Sequence, residues 1–277
     1  MQIRTPAVAG MFYPDEKNKL TKLIEDCFLH PLGPGKNPQK KAGKKIFGVI
    51  CPHADYVYSG PIACHSIYSI SSESPELFII IGPNHWGIGR NVATMKDCQW
   101  ETPLGKVEVD SESAEEISQL SQNIESDYFS HTREHSLEVQ IPILQRTFSN
   151  FKILPISLIN QSKEIAQDVG MAIAKIAKKK NTMIIGSSDF THYEPNDFAH
   201  EQDLALIEPI LDMDVDKFYD VLEKRKVTAC GYGAIASTII ACKELGAMKG
   251  ELLKYATSGD VTGDMSSVVG YGSIVFT

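Results

Sequence analysis

Three short apolar runs in this chain each end in a glycine or proline turn that carries a histidine. They are Ile46-Phe-Gly-Val-Ile-Cys-Pro-His53, Leu77-Phe-Ile-Ile-Ile-Gly-Pro-Asn-His85 and Thr182-Met-Ile-Ile-Gly-Ser-Ser-Asp-Phe-Thr-His192. Each run is apolar at every position and too short for a helix, which is the pattern of a strand buried on both faces in a parallel sheet. Open α/β sheets bind ligands just beyond the carboxyl ends of their strands. Three histidines at three such ends are therefore expected to meet in one crevice, as metal ligands or as acid–base groups.

The remaining chain supplies what such a sheet needs. Amphipathic or apolar helices are expected over 15–30, 61–70 (with Pro61 in its first turn), 111–120, 163–180 and 233–245. A helical stretch over 131–148 should bend or restart at Pro142, and 196–226 should form two helices meeting near Asp214. Strands are expected at 77–81, 151–158, 182–186, 252–257 and 267–276, with a hairpin of 91–100 and 105–109 around Thr102-Pro-Leu-Gly105. Alternating strands and helices without a linker or repeat predict one α/β domain over residues 1–277, built on a mostly parallel or mixed central sheet.

Composition excludes several function classes. The 277 residues are 43% hydrophobic and carry a net charge of −8. No apolar stretch approaches the roughly 20 residues that span a bilayer, and the first residues lack the apolar core of a secretion signal. A cytoplasmic protein that binds neither membrane nor nucleic acid is expected. The one basic cluster, Lys36 to Lys45, is rich in glycine and proline and reads as a solvated loop. The six cysteines (27, 51, 64, 98, 230 and 242) form no C-x-x-C pair, so zinc knuckles and thioredoxin chemistry are unsupported. P-loop, dinucleotide-binding and serine-hydrolase signatures are missing as well.

Chemistry concentrates in five residues. His53 and His85 project from their turns, with glycines on either side of His85 allowing close approach. A helical turn after the third strand would place Asp189 and His192 three apart on one face, where the carboxylate can orient the imidazole as a base. Cys230, in Thr228-Ala-Cys-Gly-Tyr-Gly233, precedes an apolar helix whose positive end would favour a thiolate, which is both nucleophile and soft ligand. His131-Thr-Arg-Glu-His135 matches the inverted zincin pattern, which on a helix would place two histidines one turn apart with Glu134 as base. Such short motifs recur by chance. In the alternative, His135 and Glu138, three apart, line the rim of the crevice or hydrogen-bond the residues that hold its ligand.

Read in order, these segments resemble the Memo family. The likeness runs through Arg4-Thr-Pro-Ala-Val-Ala-Gly-Met-Phe-Tyr-Pro14, Pro52-His-Ala-Asp-Tyr-Val-Tyr-Ser-Gly-Pro61, Gly82-Pro-Asn-His85, Glu101-Thr-Pro-Leu-Gly105, Arg133-Glu-His-Ser-Leu-Glu138, Ser188-Asp-Phe-Thr-His-Tyr193, Cys230-Gly and Ser267-Val-Val-Gly-Tyr-Gly272. The resemblance implies a fold similar to the LigB-like extradiol dioxygenases, with His53, His85 and Cys230 in the metal pocket and Asp189 and His192 beside them. It implies iron first, with copper or zinc as alternatives, and for animal members phosphotyrosine peptides as partners. A ring-cleaving dioxygenase uses two histidines and a carboxylate. A cysteine in the third place is more electron-donating and itself oxidisable, so the activity does not follow from the fold.

The expectation is thus a metal protein, acting as an oxidoreductase on a small substrate, with His192 as proton acceptor or extra metal ligand and Asp189 orienting it. The rival is a module that binds a phosphopeptide or protein in the same pocket without catalysis. A third reading is a thiol hydrolase in which His192 activates Cys230.

Overall fold

The apolar runs stand side by side at the centre of the molecule, in a computed structural model that describes residues 2–38 and 45–277. Among the described residues the strands are β1 (Gln2–Arg4), β2 (Gly48–Cys51), β3 (Leu77–Pro83), β4 (Val92–Thr94), β5 (Cys98–Thr102), β6 (Gly105–Glu108), β7 (Ile124–Ser126), β8 (Lys152–Leu158), β9 (Thr182–Ser187), β10 (His192–Glu194), β11 (Gly250–Thr257) and β12 (Val268–Phe276). The helices are α1 (Lys17–Leu29), α2 (Tyr56–Ser69), α3 (Ser111–Leu120), α4 (Gln140–Thr147), α5 (Lys163–Ala177), α6 (Asn196–Leu211), α7 (Val215–Arg225), α8 (Tyr232–Glu244) and the single turn α9 (Gly259–Thr262).

Nine strands form one mixed sheet, ordered β10-β12-β2-β9-β3-β8-β4-β7, with β11 on the other edge of β12. Its centre, β2-β9-β3-β8, is parallel. The flanks are mixed, because β12 runs antiparallel to β2 and β4 antiparallel to β8. Side chains alternate across a strand, and here both faces are buried. Ile79 and Ile81 of β3 pack into the core under α5 and α8, while Phe78 and Ile80 pack into the core under α1, α2 and α4. Each such side chain contributes about 1.5–3 kcal/mol, which is why the run is apolar throughout. The α/β class with a mixed sheet is as the sequence implied.

Parallel pairing sets the strand ends level. Cys51 of β2 stands opposite Ser187 of β9, and Ile81 of β3 opposite Gly186. The turns that follow β2, β3 and β9 therefore leave from one edge of the sheet.

Several boundaries differ from expectation for physical reasons. Helix α2 begins five residues before Pro61, because the Asp55 side chain accepts the Val57 N–H at 3.0 Å and caps it. Pro61 then lies inside the helix, where it removes a bond to the carbonyl of the exposed Val57. The first arm of the expected hairpin splits at Asp97, whose φ is 54°. Its β4 half joins the main sheet, and β5 pairs with β6 and β1 in a separate three-stranded sheet. Only Gln140–Thr147 of 131–148 is an α-helix, with Pro142 in its first turn. Asp214 caps α7 at the break between α6 and α7. Of the basic loop, residues 39–44 lie outside the described residues. No described helix is long and apolar enough to cross a membrane.

Candidate functional site

The three strand tips meet in a crevice of about 430 Å³ lined by His53, His85, Asp189, His192 and Cys230 together with His135, Phe12 and Tyr193. The ligand atoms of His53, His85 and Cys230 lie within 4.8 Å of one another. His53 Nε2 is 3.2 Å from Cys230 Sγ.

Each histidine is held by its Nδ1, which leaves Nε2 for the crevice. His53 Nδ1 is 3.0 Å from Ser187 Oγ. That hydroxyl already donates its single proton to the Ser136 carbonyl (2.7 Å) and accepts from Gln140 Nε2 (2.9 Å). It can only accept from His53, so the proton sits on Nδ1 and the lone pair on Nε2. Burial first, then the neighbouring His85, His135 and His192 rings, hold the His53 pKa far below its ordinary value. The ring is neutral, as a ligand must be.

His85 Nδ1 donates to Glu134 Oε1 at 2.8 Å, and its backbone N–H to Glu134 Oε2 at 2.6 Å. The same buried carboxylate accepts the N–H groups of His135 and Ser136. Burial works against its ionisation, but the hydrogen bond from His85, the neighbouring imidazoles and the Ser136 N–H outweigh it and hold Glu134 at about 2. His192 Nδ1 lies 2.7 Å from the Phe190 carbonyl and 3.0 Å from that of Thr228.

Asp189 does not serve His192. The segment after β9 does not turn helically but runs on into β10, so the i, i+3 geometry never forms. Instead Asp189 Oδ1 accepts the His53 N–H at 2.8 Å, and its own N–H points to Cys230 Sγ at 3.3 Å. Burial raises the Asp189 pKa. Burial, then the Asp189 charge, push the Cys230 thiol well up rather than down. The helix-end argument for a free thiolate is therefore overturned by desolvation. The imidazole beside the sulfur is that of His53, so the base's place in the thiol-hydrolase reading does not fall to His192.

The His131–His135 segment is not a zincin helix. His131 is buried edge-on to Trp100, and neither of its ring nitrogens is in hydrogen-bonding geometry with a partner. His135 stacks on His85 at 4.5 Å between ring centres and lies 4.7 Å from Phe12. It thus lines the crevice, and burial above all lowers its pKa to about 4. Glu138 does not reach the crevice but binds the N-terminal segment. His85, Glu134 and His135 also offer ligand atoms within 4.8 Å of one another. There the carboxylate is committed to four donors, whereas His53, His85 and Cys230 keep their donor atoms open to the crevice.

Sequence reasoning missed Ser187, Gln140 and the hold of Glu134 on His85. A fully buried serine ending an otherwise apolar strand is the signal that would have found Ser187.

Two imidazole nitrogens and a sulfur suit iron, copper or zinc, and not the hard cations that take oxygen ligands. Ligand atoms about 3.5 Å apart surround a tetrahedral zinc, so the set needs only a small contraction.

A family model described as Memo-like protein matches residues 4–275. The chain is 66% identical over 275 residues to a MEMO1 family protein of Nitrosopumilus maritimus, with 99% of each covered. It is 47% identical over 279 residues to one of Methanopyrus kandleri, covering 99% of this chain and 98% of that one. A crystal structure of an uncharacterized protein from Escherichia coli K12 superposes on 84% of this chain and 100% of that one, with a TM-score of 0.59 and 10% identity. That likeness carries the fold alone.

Proposed function

The chain belongs to the Memo family, and from that premise we propose that its strand-tip crevice holds one iron ion, with copper or zinc as the alternatives, and serves as the centre of an oxidoreductase for a small substrate. The observation that carries this is the donor set itself: His53, His85 and Cys230 present their ligand atoms within 4.8 Å of one another, and both imidazoles are tethered at Nδ1. Such tethers fix the tautomer, and a carboxylate tether adds basicity. The Asp189 N–H at Cys230 Sγ tempers the charge of a thiolate ligand. A bound iron or copper supplies one-electron redox chemistry and polarises an oxygen-bearing ligand.

The chain's own residues position and protonate. His192, with its Nδ1 held between two carbonyls, presents Nε2 to accept a proton from a substrate hydroxyl. Asp189 lines the same crevice and fixes the His53 turn. Phe12, His135 and Val269 narrow the crevice around the donors. Elemental analysis of untagged protein tests the proposal. Close to one iron or copper per chain, lost in His53→Ala and Cys230→Ser, is expected. No iron, copper or zinc in the wild type, or equal metal in both variants, overturns the metal site, and zinc alone overturns the oxidoreductase centre.

A peptide ligand is the second reading. It is favoured by an adjoining apolar groove of about 670 Å³ that runs past His85 and His135 between Met11, Trp86 and Arg133. Calorimetry with tyrosine-phosphorylated peptides on metal-stripped protein separates the two. Binding that survives stripping and needs His53 and His85 supports the module.

A further inference from the structure

Beside the donor set the backbone does something unusual. Strand β10 pairs with β12 through His192 opposite Val269 and Glu194 opposite Val268, and the register shifts between them. Tyr193 is the extra residue of this bulge, and its φ is 61°. In a regular strand His192 and Tyr193 would face opposite sides. Here both line the crevice, and their rings meet edge to face at 5.7 Å. Bulges next to functional sites re-aim a side chain in this way.

The residue type is not explained by the fold. The left-handed region strains any bulky side chain, and glycine or asparagine would occupy it more easily. Nor does burial compensate, because Tyr193 is 77% exposed. An exposed aromatic ring, held in a strained conformation at the mouth of a crevice, points to contact with whatever enters.

We infer that Tyr193 is a specificity residue, presented by the β10 bulge so that its ring packs on the aromatic or other flat part of a ligand whose polar end reaches His53, His85 and Cys230. This rests on the metal reading above. Phe12 supplies a second aromatic wall in the same crevice. The volume of about 430 Å³ falls within the range of sites that take a single-ring or two-ring molecule. Asp55 and Thr228, also in the lining, leave a polar margin for substituents.

The test uses two chelators with the same metal-binding head, benzohydroxamate and acetohydroxamate, titrated into cobalt(II)-loaded protein and followed by the visible absorption of the ion. Wild type should bind benzohydroxamate more tightly. Tyr193→Asn should lose about 3- to 10-fold of that affinity, the worth of one aromatic contact, while acetohydroxamate binding stays unchanged. Tyr193→Phe should keep both affinities, since the ring and not the hydroxyl makes the contact. Cobalt uptake should be equal in all three proteins. The melting temperature of Tyr193→Asn should be equal to wild type or higher, because strain is relieved and no buried surface is lost. Equal losses for both chelators, no loss for either, or a fall in melting temperature of more than about 4 °C overturns the inference and leaves the metal reading standing. A wild type that takes up no cobalt overturns the metal reading and this inference with it.

Discussion

Glu134 and Glu138 lie one turn of sequence apart, both buried, and each accepts hydrogen bonds from four donors. Glu134 takes the backbone and Nδ1 of His85 and the N–H groups of His135 and Ser136. Glu138 takes the guanidinium of Arg4, the N–H groups of Ala7 and Val8 and the hydroxyl of Tyr13. One carboxylate grips a ring that faces the crevice, while the other grips the N-terminal segment and a cation that is itself buried. Arg4 completes the link by donating to the carbonyls of His131 and Glu134. Two anchors of like chemistry are thus separated by what they hold. Glu138 supports stability, and Glu134 supports the presentation of His85.

The largest effect should come from Glu138→Gln. It leaves the Arg4 charge buried without its counterion, and breaking a buried pair from one side costs about 3–5 kcal/mol. Urea denaturation should show that loss, while the folded fraction still binds metal with wild-type stoichiometry. A variant that keeps its stability and loses metal would break the separation.

Glu134→Gln should act the other way round. Metal affinity should fall about 10- to 100-fold, as when the outer partner of a ligand histidine is removed, with a stability cost below that of Glu138→Gln. Competition titration with a chromogenic chelator measures the first and urea the second. An affinity within twofold of wild type would show that His85 needs no carboxylate behind it.

The Arg4 side of the comparison also has a pH signature. Burial first, and then the Arg4 charge, lower the His131 pKa from 6.5 to about 3. The ring is neutral when folded, and the unfolded chain binds its proton below about pH 6.5. The unfolded state thus holds more protons, and stability from this residue declines as pH falls from about 6.5 towards 3. The slope approaches about 1.4 kcal/mol per pH unit within that window. His131→Phe keeps the ring against Trp100 and removes the titration. Its stability should therefore fall less steeply than wild type between pH 6.5 and 4, and identical acid slopes in the two proteins would contradict the assignment.

The sheet and the meeting of its strand tips are legible because they follow from local pattern. A buried parallel strand must be apolar on both faces, and level strand ends bring His53, His85 and the segment after β9 to one edge without any tertiary information. What was not legible depends on side-chain hydrogen bonds and burial that hydrophobic periodicity does not encode. Residues 131–139 have the spacing of a helix, yet Glu134 satisfies the N–H groups of His135 and Ser136 with its own carboxylate, in place of helical partners. Asp189 was assigned to its sequence neighbour His192, but its partner is 136 residues away, at the His53 N–H. The helix end beside Cys230 suggests a thiolate, whereas burial dominates its ionisation. Tyr193 gives no sign in sequence, since nothing distinguishes a tyrosine that will adopt a positive φ.

The smallest effect should come from the other ligand arm. His53 is tethered by the neutral Ser187 hydroxyl, not by a carboxylate. Ser187→Ala removes that acceptor, and it leaves the Ser136 carbonyl and Gln140 Nε2 each short of one partner. Gln140 still donates to the Pro52 carbonyl at 2.9 Å, and the His53 turn is still fixed through its own N–H to Asp189. A neutral hydrogen bond contributes about 0.5–1.5 kcal/mol, so metal affinity should drop less than about 10-fold. Charge is what should separate the arms, because a carboxylate raises the basicity of the imidazole behind which it sits and a hydroxyl does little. If Ser187→Ala weakens metal as much as Glu134→Gln does, orientation alone accounts for both tethers. The buried charge of Glu134 then belongs with that of Glu138, as part of the fold.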